Sequence, residues 1–376
     1  MSHIASTSEL QEAAAAIAEA DRIAIDTEFH SERRYYPRLL LVQIHVPDFG
    51  TVLVDPLVKG ALETVAEGLR TTPWMLHGGY YDIVLMQRAL GTVPDDIIDT
   101  QVLAGLCATD FPCRFERIAE RWLGMTVQKG QTLSDWSKRP LDKEQLAYAA
   151  LDAQLLPSMI ERLVEQVESL GRLEIAHMAC REAALEAIDP PSVDLSWRKI
   201  RGTQVLHRQQ VAVLQELSGW REKLARQLDQ PARSVVSDGI LLWLARHQPL
   251  SRRALSPRKI PKGVVKRHGQ DLLECVSRAS QRQEWAWPRH VREYTRDAER
   301  RSWLETLARI DGAKASWSRR LVLPSWLADL LAVGIESRDE QAQLIGPWRE
   351  QLWGDRLWAA QQGQVALSIP ERATGG

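Results

Sequence analysis

The chain has 376 residues, too many for one ordinary hydrophobic core, so two or three domains are expected. With 44% hydrophobic and 26% charged residues it has the balance of a soluble globular protein, and no apolar run approaches the ~18 residues that a membrane helix needs. The formal net charge of −1 hides a split: residues 1–170 hold 25 acidic and 15 basic residues, whereas 197–282 hold 18 basic and 6 acidic ones, which suits a polyanionic partner.

The N-terminal "MSHIASTSELQEAAAAIAEADR" lacks the basic-then-apolar order of a signal peptide and reads as a capped amphipathic helix. Strands follow: "RIAIDTEF", "LLLVQIHV", "TVLVDP" and "WMLHG" are short, rich in branched aliphatics and separated by Pro, Asp and Gly. Helical periodicity takes over in "DIVLMQRAL" and "LDKEQLAYAALDAQLLPSMIERLVEQVESL". The first part is therefore α/β, one sheet flanked by helices. Beyond about residue 172 only helical patterns appear, with a Pro-bearing joint at "IDPPSVDLSW". The expected division is an α/β domain over 1–172, a linker helix and joint over 173–203, and all-α domains over 204–283 and 284–376. Four cysteines, Cys107, Cys113, Cys180 and Cys275, show neither CxxC nor metal-ligand spacing. They read as small core residues in a reduced cytoplasm, the expected location.

Three clusters carry chemistry. Asp26 and Glu28 stand two apart on a strand that otherwise reads as buried, so both point to one face. Like charges held together there need a counter-charge. Asp82 follows a glycine pair near the start of a helix, and Tyr148 and Asp152, four apart, share a helix face. Singly, each has an ordinary explanation as a strand-end acid, a helix cap or an exposed helix face. Jointly, four carboxylates and a phenol suit hard divalent cations, Mg²⁺ or Mn²⁺. Two such ions can clamp a phosphodiester, while a protonated phenol orients the attacking water.

The order DTE, then Asp after a His-Gly stretch, then Y-x-x-x-D resembles the tyrosine branch of the DEDD exonuclease superfamily. The blocks "DTEFHSERRYYPRLLLVQI", "LVDPL", "IIDTQVLAGLC", "SDWSKRPL" and "QLAYAALDAQLLP" resemble the ribonuclease D family over most of residues 20–160. The resemblance implies an RNase H-like domain with a mixed sheet, in which Asp26, Glu28, Asp82 and Asp152 bind two metal ions and Tyr148 positions the water. Asp26 would bridge the ions. "KGQTLSDW" departs from the pattern, with Gly130 where the family usually shows a serine, which puts one loop contact in question.

Residues 204–282, including "KIPKGVVKRHGQDLLECV", resemble the helical HRDC domain shared by RecQ-type helicases and ribonuclease D. Leu214, Leu217 and Trp220 form a core stripe there, while Lys259, Lys262, Lys266 and Arg267 cluster at a glycine-bearing turn and can neutralise phosphates with little sequence reading. Residues 284–376 resemble a second HRDC-like domain, most visibly in "PWREQLWGDRLWAAQQG". Eight of the 14 tryptophans lie there, and packing is their expected role. Further RNA contacts are expected of Tyr36, in a Tyr-Tyr-Pro entry to the site, and of Lys129, Trp136 and Arg139 in one loop. His30, His45 and His77 read as structural.

The implied protein is a 3′–5′ exoribonuclease that releases 5′-mononucleotides and trims tRNA precursors with 3′ extensions. It would act as a monomer, with no membrane and no small-molecule cofactor. A DNA-directed 3′–5′ exonuclease or a non-catalytic RNA-binding protein remain as alternatives, since nothing in the five site residues tells ribose from deoxyribose.

Overall fold

The structure, a computed structural model, describes residues 3–31, 33–108, 111–127, 134–189, 193–203, 206–255, 260–283 and 296–366. The expected contacts at Lys129, Gly130 and Lys259 lie outside the described residues.

The N-terminal part runs α1 (Thr7–Glu19), β1 (Ile23–His30), β2 (Arg38–Val46), β3 (Gly50–Val54), α2 (Ala61–Thr71), β4 (Trp74–Leu76), α3 (Tyr80–Leu90), β5 (Ile97–Asp99), α4 (Thr100–Cys107), α5 (Phe115–Ile118), α6 (Lys143–Ser169) and α7 (Leu173–Ile188). Its sheet has the order β3-β2-β1-β4-β5, with β1–β2 and β2–β3 antiparallel and β1–β4 and β4–β5 parallel. It is the expected mixed sheet, with β1 at its centre. The fifth strand is three residues long, too short to leave a periodic signal in the sequence.

Alternation along β1 builds two cores. Ile23 and Ile25 face α1, α2 and α3, while Ala24 faces α4 and α6. The helix α6 starts with a capping box between Asp142 and Gln145 and crosses the sheet, burying Ala149 and Ala150 against Leu41 and Leu53.

The helix α7, expected as a linker, is part of this layer instead. Ile175, Ala176, Ala179 and Cys180 are buried on the α4–α6 side, and Ala184 and Ala187 on the α3 side. Its apolar face is wide enough to close the sheet, which helical periodicity alone could not assign to a partner.

The two later helical domains attach differently. The first comprises α8 (Arg208–Leu228), α9 (Ala232–Val235), α10 (Asp238–His247) and α11 (Lys262–Ser280). It has its own core, with Leu214 and Leu217 fully buried and Trp220 packed on them as expected. Trp197 and Ile200, ahead of α8, complete that core, and among the described residues outside 197–283 only Tyr35 packs on it.

The second comprises α12 (Arg296–Ala315), α13 (Arg319–Val322), α14 (Ser325–Val333), α15 (Arg338–Ile345), α16 (Pro347–Arg349) and α17 (Asp355–Gln361). Leu307, Leu321, Leu331, Trp348 and Leu357 belong to the same apolar cluster as Leu103, Leu156 and Leu163 of the α/β domain. Polar ties fix the seam: Arg172 donates to the carbonyls of Leu106, Ala315 and Ser316, and Arg349 pairs with Glu182 at 2.6 Å. Trp317, Trp348 and Trp353 are buried, matching the packing role expected of the tryptophans, whereas Trp326 is exposed.

Candidate active site

The five expected site residues come from three elements at the carboxyl end of β1. Asp26 and Glu28 lie on β1 opposite Gln43 and Leu41 of β2. A β-bulge between Glu28 and Phe29 then breaks the register, a device that re-aims side chains beside active sites. Asp82 sits in the first turn of α3, 8% exposed, and accepts a 2.6 Å hydrogen bond from the Thr27 hydroxyl.

The turn before Asp82 depends on its glycines. Gly78 has φ +61°, and both Gly78 and Gly79 donate their N–H groups to the Asp99 carboxylate, at 2.9 and 2.8 Å. A Cβ on Gly79 would stand 2.4 Å from Leu76, so no larger residue fits. His77 is half-buried, packs edge-on against Phe115 and hydrogen-bonds Thr100, and desolvation lowers its pKa, in keeping with its structural reading.

Electrostatics shows the convergence. Burial, then the charges of Asp82, Asp152 and Glu28, push Asp26 well above the ordinary carboxylate range. Burial with the charges of Asp152 and Asp82 raises Glu28 to about 8. Asp82 is raised by burial to about 6. Asp152, itself 9% exposed, is raised to about 7, by burial first and then by Glu116, although the Tyr148 hydroxyl holds it down somewhat. Tyr148 is raised by burial and the acids around it and keeps its proton at neutral pH.

The charges of Asp82 and Asp152 thus disfavour ionisation of Asp26 and Glu28, while Asp82 and Asp152 themselves are raised by burial with Asp99 and Glu116 respectively. The buried Asp152 Oδ1 has no hydrogen-bond partner among the described residues. Among the described residues no three His, Cys, Asp or Glu side chains stand together closely enough to hold a metal ion as they are placed. The all-oxygen, strongly anionic donor set fits a hard divalent ion.

The "SDWSKRPL" loop is exposed along most of its length but turns Trp136 and Leu141 inward toward the site. Trp136 is 2% exposed, its ring 6.5 Å from that of Tyr148. The RNA contact expected of Arg139 is corrected here. Its guanidinium is consumed by Asp55 through Nε and Nη2, by the Leu40 carbonyl, and by the Trp136 and Lys138 carbonyls, leaving no donor for a phosphate. Asp55 in turn is 5% exposed and also accepts from Leu57 N–H. Arg139→Ala should therefore lower stability by about 3 kcal/mol, the cost of stranding a buried charge, while leaving the salt dependence of RNA binding unchanged. Denaturant melts and salt titrations of the variant check this.

Tyr36 lies in the contact with the first helical domain. Arg88 covers one face of its ring at 3.8 Å, and its N–H donates to Asp229. Next to it the Tyr35 hydroxyl donates to Glu222 at 2.5 Å and accepts from Arg226. Lys262, Lys266 and Arg267 are exposed on the first turns of α11, far along the chain from the acids.

Two features escaped the sequence reading. Gln43, fully buried opposite Asp26, has neither amide atom hydrogen-bonded among the described residues. A polar residue inside "LLLVQIHV" was its signal. The exposed Tyr81 ring stacks at a tilt on Phe29, 5.3 Å away, at the rim beside Asp82 and Glu28.

A family model described as 3′-5′ exonuclease matches residues 1–168, and one for the HRDC domain matches 210–276. A ribonuclease D from Cronobacter turicensis is 34% identical over 287 residues, covering 74% of this chain and 76% of that protein. The chain belongs to the ribonuclease D family. It is thus a hydrolase of the 3′–5′ exoribonuclease class. The ribonuclease D of Nitrobacter hamburgensis is 28% identical over 381 residues, spanning 98% of this chain and 97% of that one. The crystal structure of Escherichia coli RNase D superposes with a TM-score of 0.78 at 27% identity, over 96% of this chain and 98% of that chain. The α/β nuclease domain followed by a helical HRDC domain is thereby the family's fold in this chain.

Proposed function

We propose that this ribonuclease D removes 5′-mononucleotides one at a time from the 3′ ends of structured RNA, tRNA precursors above all, with two divalent cations held by Asp26, Glu28, Asp82 and Asp152. The observation that carries the reading is the gathering of four like charges and one protonated phenol at the carboxyl end of β1. Repulsion of that size persists in a folded protein when a ligand offsets it. Bound Mg²⁺ or Mn²⁺ would supply charge to activate water and to steady the leaving oxygen.

The chain's own residues do the rest. Tyr148, protonated, can donate to or orient a water, and the Trp136 ring beside it limits its freedom. Burial of Asp82 and Asp152 lowers the local dielectric, so each charge in the site acts more strongly. Phe29 and Tyr81 offer an aromatic rim on which a terminal base can stack.

The first HRDC domain fits the task of holding RNA. Lys262, Lys266 and Arg267 crowd the N-terminal turns of α11, where the helix dipole disfavours cations. A local rule broken on an exposed surface points to a function, here phosphate neutralisation. The Escherichia coli enzyme is described as an exoribonuclease involved in structured RNA processing, which supports the same substrate class. We place the enzyme in the cytoplasm as a monomer. Among the described residues no helix is long and apolar enough to cross a membrane.

Incubation of a tRNA carrying a 3′ extension should give a ladder shortening from the 3′ end with Mg²⁺ and no shortening with EDTA. A matched DNA strand should be degraded far more slowly. Shortening in EDTA would remove the metal reading, and equal rates on DNA would remove the ribonucleotide preference.

A further inference from the structure

A cavity of about 760 Å³ opens between the α5 region and the C-terminal helical domain. Five arginines line it: Arg114 and Arg117 at α5, Arg309 on α12, and Arg319 and Arg320 at the start of α13. Among the described residues the only acids on its wall are Glu116 and Glu120, so its lining is net positive beside a domain whose sequence is strongly acidic. We propose that this cavity binds the phosphodiester backbone of the RNA strand upstream of the 3′ end being cut, a proposal that rests on the exoribonuclease reading above.

Three observations place an RNA strand there. The cavity lies on the α5 segment next to the site, since Arg114 and Glu116 of its wall flank Phe115, whose ring packs edge-on at 5.5 Å against His77 in the turn that leads to Asp82. Next, Arg114, Arg309 and Arg320 are exposed and have no carboxylate partner among the described residues, whereas Arg319 lies 3.5 Å from Glu305. Exposed arginines without acids present planar forks that match phosphate oxygens two at a time. Finally, the walls are fixed. Ser318 N–H donates to the Gly105 carbonyl at 2.7 Å, and Leu321 and Val322 of α13 are buried in the core shared by the two domains. A Cβ on Gly105 would come within 2.7 Å of Leu321, so the seam closes only around glycine. Arginines on a fixed seam lose little freedom when a strand binds.

The cavity thus belongs to the seam with the domain that shares the catalytic unit's core, whereas the basic α11 turn belongs to the domain with a core of its own. Its sequence-neutral forks suit a trimming enzyme, which must accept whatever bases precede the end.

The test is the full-length double variant Arg309→Ala/Arg320→Ala, whose two side chains are exposed and lie outside the core. A 12-nucleotide single-stranded RNA is titrated in EDTA at several salt concentrations. With two fewer phosphates neutralised, the plot of log affinity against log salt should become shallower by about 1.4, and affinity should fall roughly tenfold. With Mg²⁺, the preference for the 12-mer over a dinucleotide, as a ratio of kcat/KM, should drop by a similar factor, and Arg309→Lys/Arg320→Lys should restore part of the affinity. An unchanged salt slope and affinity overturns the proposal. So does weakened binding of a free 5′-mononucleotide with unchanged RNA affinity, which would make the cavity a nucleotide site. If the parent enzyme fails to shorten RNA with Mg²⁺, the exoribonuclease reading fails by itself, while the binding titration in EDTA still decides the cavity.

Discussion

Asp152→Asn is expected to lower RNA hydrolysis at least about a thousandfold, because loss of a ligand charge removes several kcal/mol of the electrostatic help that divalent ions give to phosphodiester cleavage. Asp152 is the sharpest choice among the four acids. It is nearly buried, its Oδ1 has no partner among the described residues, and its carboxylate faces the Tyr148 hydroxyl. The asparagine is isosteric, so the fold should survive. Without metal the variant should melt somewhat higher than the parent, since one of four repelling charges is gone. With Mg²⁺ the parent should gain stability and the variant should gain less. RNA affinity in EDTA should be unchanged. Single-turnover rates, melts with and without Mg²⁺, and RNA titrations give the four readings, and turnover equal to the parent's would overturn the assigned role.

Truncation after residue 196 should destroy the folded state. Read from the sequence, the two helical domains help hold RNA, so deleting 197–376 is expected to weaken binding to folded RNA more than the chemical step on short oligomers. The structure changes that expectation. Leu307, Leu321, Leu331, Trp348 and Leu357 complete the core around Leu103, Leu156 and Leu163. Stripping them exposes several large apolar side chains, each worth about 1.5–3 kcal/mol when buried, and together they rival the usual stability of roughly 5–15 kcal/mol of a whole domain. The truncated protein should aggregate or bind a hydrophobic dye, whereas removal of residues 197–283, the whole unit with its own core, with a short flexible bridge should leave a soluble nuclease. A well-folded, active 1–196 fragment would show that the shared core is dispensable.

The site was legible in the sequence because its chemistry needs particular residue types at particular spacings. Two acids on a strand, an Asp after His-Gly-Gly and a Tyr four before an Asp leave marks that survive without coordinates. The central strands and long helices were legible for the same reason of periodicity. Partner choice was not. An apolar stripe on α7 or α12 states that something must cover it, without saying what, so α7 read as a linker and the last domain's tryptophans as packing with no partner assigned. Arg139 looked available because Asp55 is distant in sequence, and only the fold brings them together. Gln43 sat within an aliphatic run and could have been singled out, since a polar residue facing Asp26 across two strands is costly unless used.

The contrast between the two attachments has an evolutionary meaning. Residues 197–282 own their interior and meet the nuclease through a few polar side chains around Tyr35, Tyr36 and Asp229, with Arg34 pairing to Asp229 at 3.3 Å. Such a module can drift, be exchanged or be retuned for another class of transcript without disturbing the catalytic interior. The last domain has no such liberty, because a change in its buried face is also a change in the interior it shares with α4, α6 and α7.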